Sequence, residues 1–102
     1  MFSFNKQVLE RSKIIPVIVE FSADGCGPCQ WVENLMIDIH AENADRFEFV
    51  SIPITMHEEA AQLFDLRSNP TLIIFQQGEA IAKLAGALPK MAVLQWIDDH
   101  LK

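Results

Sequence analysis

The chain has 102 residues, half of them apolar and 22% charged, a composition that fits one folded domain spanning 1–102 and not a disordered segment. Acidic residues outnumber basic ones, 14 to 8, for a formal charge of −6. Such a surface repels phosphate backbones and anionic lipid, so neither nucleic acid nor a membrane surface is an expected partner. The longest apolar runs, Ile14–Val19 and Thr71–Phe75, fall far short of the ~20 residues that span a bilayer. Met1–Phe4 carries no basic stretch leading into an apolar core, so no export signal is read there and a cytoplasmic location is expected.

In chain order, Ser3 or Asn5 is positioned to cap a short helix to about Ser12, with Val8 and Leu9 inward. Ile14–Phe21 is β-branched without alternation, the pattern of a strand buried on both faces, and Pro16 belongs near its start because a central strand cannot spare an amide. A loop, Ser22–Gly25, precedes Gly27–Pro28, where proline suits the first turn of a helix. That helix runs to about Ala44, with Trp31, Leu35 and Ile39, and Val32 and Met36, at helical spacing. Phe47–Ile54 reads as a second strand limited by Pro53, and Glu58–Asp65 as a short helix. Asn69–Pro70 punctuates the chain before the strand Thr71–Phe75. Gln77–Gly78 then turns it back into Ala80–Leu84 as a hairpin closed by Gly86. Pro89 opens a last helix that places Met91, Leu94, Ile97 and Leu101 on one side. This alternation predicts an α/β sandwich: a mixed sheet with helices on both faces.

Two cysteines are present, Cys26 and Cys29, too few and too close for a disulfide scaffold. As Cys26-Gly27-Pro28-Cys29 between a buried strand and a helix start, they sit where unpaired amides and the helix dipole stabilise an anion. A thiolate favoured there is the nucleophile of thiol–disulfide exchange, and a second thiol one turn on is placed to resolve a mixed disulfide. Inert structural thiols and a metal half-site are the competing readings. The latter lacks the further ligands that zinc or an iron–sulfur cluster needs and would call for a second chain. His40, His57 and His100 show no ligand spacing and read as surface histidines. Glu58-Glu59 and Asp98-Asp99 read as solvated helix faces.

The segment Val19–Cys29, VEFSADGCGPC, resembles the active-site region of the thioredoxin family. Leu66–Phe75, LRSNPTLIIF, is similar to its later strand, followed by Gly78 and Ala85–Leu88 in the same order. The resemblance implies a three-layer sandwich that reduces protein disulfides with electrons from a reductase or a small thiol, with no bound cofactor and no metal. Redox homeostasis and electron transport go with that role. By resemblance, Cys26 is the exposed attacking thiol and Cys29 the buried resolving one. Gly27 and Pro28 keep their turn tight. Pro70 matches a cis-proline facing the disulfide, with Thr71 next to it. The backbone of Asn69 meets an extended substrate, and Gly25 and Gly86 border the same groove. Glu20 takes the place of a buried acid that shuttles the proton of Cys29.

The departures bear on potential and substrate range. Gly25 stands where the family has tryptophan, Ser22 where an aromatic is common, Glu20 where aspartate is usual, and Ser51 where a lysine is expected. Asp24, two residues before Cys26, opposes a thiolate if it faces inward. With only Met1 and Phe2 ahead of the first helix, the family's N-terminal strand is expected to be absent or vestigial. That leaves four strands and makes Phe47–Ile54 an edge blunted by Glu48 and Pro53, on a monomer in preference to a dimer paired through that edge. The rival function is an interaction module of the same fold that has kept its dithiol but acts by binding.

Overall fold

A computed structural model describes residues 2–101. Its sheet is built from β1 (Val17–Ser22), β2 (Glu48–Pro53), β3 (Thr71–Gln76) and β4 (Glu79–Ala85), in the spatial order β2-β1-β3-β4. β1 and β2 are parallel, and the other two pairings are antiparallel. A parallel neighbour needs a crossover connection; α1 (Gly27–Glu42) supplies it, carrying the chain from the end of β1 back to the start of β2. The two antiparallel strands β3 and β4 are joined by the Gln77–Gly78 turn, where both residues have positive φ. Two further helices are α2 (Ala60–Leu63) and α3 (Lys90–His100), and the chain opens on a helical segment of wide turns, Asn5–Glu10, tightening into Arg11–Lys13.

Successive side chains on a strand face opposite ways, and both faces of the central strands are covered. Ile18 of β1 and Leu72 and Ile74 of β3 pack with Val32, Met36 and Ile39 of α1, with Val93, Trp96 and Ile97 of α3, and with Phe47. Val17, Val19 and Phe21, with Ile73 and Phe75, pack on the other face with Val8 and Ala60, flanked by Phe4, Leu9 and Phe64. This is the three-layer sandwich expected from the sequence, with a mixed four-stranded sheet, and it explains why β1 and β3 lack alternation. Among the described residues no strand precedes the first helix, and β2 is an edge. Glu48 on that edge is ion-paired to Arg11 at 2.7 Å.

The expectations for Ile14, Met91 and His57 need correcting. Ile14 is not in β1: it is largely exposed, and Pro16 immediately precedes the strand. Met91 is exposed as well, because α3 buries Val93, Trp96 and Ile97 and begins only at Lys90 with Pro89 as its cap. Asp98 and Asp99 are exposed, as a solvated helix face implies, and Asp98 also accepts from Arg46 at 3.0 Å, linking the end of α3 to the loop before β2. His57 is not a free surface histidine: its ring stacks on Phe4 at 4.7 Å, and its Nε2 is buried. Ser12, which the sequence marks only as the end of the first helix, is buried and bridges two regions, donating to the Leu9 carbonyl and accepting from the Gly78 amide at 2.9 Å.

Candidate active site

β1 ends at Ser22, and the loop that follows delivers Cys26 as the N-cap of α1, in extended conformation. Helix N-termini leave amides without carbonyl partners. Here the amide of Cys29 donates to the Cys26 sulfur at 3.1 Å, so a sulfur anion at this position is met by a fixed N–H as well as by the helix dipole. Pro28 fills the first turn, where its missing N–H costs nothing. The sulfurs of Cys26 and Cys29 are joined in a disulfide, with Cα atoms 5.2 Å apart. Cys26 is half-buried at the surface and Cys29 is 3% exposed. Gly25 just before them has φ +70°, a conformation that glycine adopts without strain. A cleft of about 420 Å³ opens over the pair, lined by Asp24, Gly25, Cys26, Cys29, Gln30 and Glu33 among others.

Beneath this end of the sheet lies Glu20. It shares the β1 face of Ile18, the face covered by α1, and is fully buried. The β1–β2 register sets it beside Ser51, whose hydroxyl donates to Glu20 Oε1 at 3.3 Å. Oε2 has no hydrogen-bonding partner. Burial, reinforced by the negative charge of Glu33 and only partly offset by the Ser51 hydroxyl, pushes the Glu20 acid up to about 7. A carboxyl that titrates near neutrality is matched to moving protons at physiological pH.

The later part of the chain arrives at the same edge. Antiparallel register places Thr71 opposite Phe21, which brings Asn69 and Pro70 to the end of the sheet where the β1–α1 loop emerges. The Asn69–Pro70 bond is cis. Gly86 donates its amide to the Pro70 carbonyl at 2.9 Å, and a side chain built on Gly86 would meet nothing within 4 Å, so this border is open. The Thr71 hydroxyl is turned inward and donates to the Ser68 carbonyl at 2.8 Å, and the residue is buried. Asp24 is exposed. Trp31, whose place after the motif suits a substrate-facing residue and whose spacing with Leu35 suits core packing equally well, is 49% exposed and lies outside the cleft lining.

Gln30 and Glu33 were not singled out from the sequence. The available signal was helical spacing: four residues after Cys26 and Cys29 respectively, they fall on the same side of α1.

A model of the thioredoxin family matches residues 2–99. The chain belongs to the thioredoxin family. Among its relatives, thioredoxin 1 of Synechococcus elongatus is 35% identical over 97% of this chain and 91% of its own length. A thioredoxin of Mycobacterium tuberculosis is 35% identical over 95% and 82%. The chloroplastic M-type thioredoxin of Chlamydomonas reinhardtii is 31% identical over 97% and 69%. With a cysteine pair bonded in the active-site position of that family, this thioredoxin-family chain is a protein-disulfide oxidoreductase, and the binding-module reading is not favoured.

Proposed function

We propose that residues 1–102 work as one thioredoxin-like domain that reduces protein disulfides through Cys26 and Cys29, with Glu20 as proton carrier. The observation that supports this division of labour is the asymmetry of the pair: Cys26 is half-buried at the cleft and capped by the Cys29 amide, whereas Cys29 is almost fully buried. The Cys26 thiolate attacks one substrate sulfur and expels the other as a thiolate. Cys29 then gives its proton to the Glu20 carboxylate and attacks Cys26 Sγ; the Cys26–Cys29 disulfide forms and the second substrate thiolate leaves. Two electrons pass from the dithiol to the substrate, and a reductase or small thiol restores them.

In this reading Gly27 and Pro28 hold the turn. The backbone of Asn69, with Pro70 and Thr71, meets an extended segment of substrate between Gly25 and Gly86. The domain acts as a monomer in the cytoplasm, in electron transfer and redox homeostasis, without cofactor or metal. Dithiothreitol-driven reduction of insulin tests it. Turnover by the wild type and none by Cys26→Ser is expected; turnover retained in Cys26→Ser would overturn it.

A further inference from the structure

The cleft over the cysteine pair is roomy because small residues line it. Ser22, Ala23, Gly25 and Gly27 are all part of its lining, and a Cβ built on either glycine would meet nothing within 4 Å. About 420 Å³ is thereby left open beside Cys26, within the ~300–1,000 Å³ of clefts that hold small ligands. The same cleft is acidic. Asp24, exposed, comes from the β1–α1 loop two residues before Cys26; Glu33, half-buried, comes from α1 four residues after Cys29. Two separate elements thus each bring a carboxylate to the cavity that Cys26 shares. Among the described residues no lysine or arginine lines this cleft, and neither acid is in a salt bridge. Arg67, two residues before Asn69, is held by Asp65 at 3.0 Å and lines a different hollow together with Lys83. Lys83 in turn donates to the Phe64 and Asp65 carbonyls.

We propose that this cleft selects, among protein disulfides, those whose reacting cysteine is flanked by lysine or arginine, with the basic side chain lying along the small-residue lining and its charge against Asp24 and Glu33. This rests on the reading of Cys26 as the attacking thiol. The exchange itself is unchanged: Cys26 attacks one substrate sulfur, the other leaves as a thiolate, and Cys29 closes the protein's own disulfide. A concave site carrying charges of one sign focuses its field. It draws in a cationic segment before the sulfurs meet and repels an acidic one. The alkyl stem of lysine or arginine suits a lining of small side chains, while its charged head stays at the wet rim.

The test mixes the prereduced full chain with disulfide peptides that differ only in carrying arginine, glutamine or glutamate beside the cysteines. Each second-order rate is divided by that peptide's rate with dithiothreitol, which removes differences in intrinsic disulfide reactivity. At low salt the wild type should take the arginine peptide about tenfold faster than the glutamate peptide, with glutamine between. The ratio should fall to about two- to threefold in the double variant Asp24→Asn/Glu33→Gln and at about 0.5 M sodium chloride, each single variant lying between. Any effect of the amides on the acidity of Cys26 speeds or slows all three peptides alike and cancels in the ratio. Equal normalised rates in the wild type would overturn the proposal. So would a wild-type ratio kept by the double variant, which would trace the preference to the overall charge of −6. Reduction of none of the three peptides would overturn the reading of Cys26 itself.

Discussion

Glu20→Gln is expected to make stability far less sensitive to pH. In the unfolded chain this carboxyl ionises around its ordinary value of 4.5, whereas in the folded protein burial holds it to about 7. Between those values the folded state binds more protons at this site than the unfolded state, so stability falls as pH rises through the window and levels off above 7. At 1.36 kcal/mol per pH unit the full interval corresponds to about 3 kcal/mol, of which about 2.5 kcal/mol is lost between pH 5 and pH 8.5. Glutamine keeps the shape and cannot ionise. Its amide also lacks a partner at the Oε2 position, but that cost is the same at both pH values and cancels in the comparison. Thermal unfolding of both oxidised proteins at pH 5 and pH 8.5, followed by circular dichroism, measures the effect. The variant should gain on wild type by ~10–20 °C in Tm on going to the higher pH, taking ~4–8 °C per kcal/mol for a domain of this size. An equal gap in Tm at the two pH values would show that Glu20 is solvated or paired in the folded state, and would refute the argument from burial.

In the reduced protein, iodoacetamide should modify Cys26 much faster than Cys29, because Cys26 is the more exposed of the two and its sulfur is capped by the Cys29 amide; equal rates by mass spectrometry would contradict the assignment. Ser12→Ala should lower the urea midpoint by the equivalent of roughly 1 kcal/mol with an unchanged m-value, since it removes the buried hydroxyl that accepts from the half-buried Gly78 amide. Unchanged midpoints would show that water replaces the hydroxyl. Gly25→Ala should destabilise by about 1 kcal/mol, because φ +70° places the new Cβ against the backbone although space around it is open. A stabilising outcome in the same denaturation assay would mean that the loop is free to leave that conformation.

How much was legible from residues alone follows the range of the forces involved. Cys26-Gly27-Pro28-Cys29 specifies its own helix start, because the cap, the proline and the resolving sulfur lie within one turn. The β-branched runs of β1 and β3 announced strands covered on both faces, and Asn69–Pro70 with Gln77–Gly78 marked where β3 begins and turns. The three-layer architecture and the cysteine pair were therefore readable before any coordinates.

What the linear order left open was which side chains meet across elements. Helical spacing allowed α3 to bury Met91 or Val93, and only the sheet it lands on selected Val93, Trp96 and Ile97. His57 looked like a solvated residue until Phe4, fifty-three positions earlier, stacked on it. Glu20 was recognisable as an acid near the site, but its ionisation depends on Ser51 from β2 and Glu33 from α1. Local sequence sets backbone propensity and places the sulfurs. Burial and charge proximity are properties of the packed interior, where the low dielectric makes each neighbour count, so the acid's working pH is set by tertiary structure.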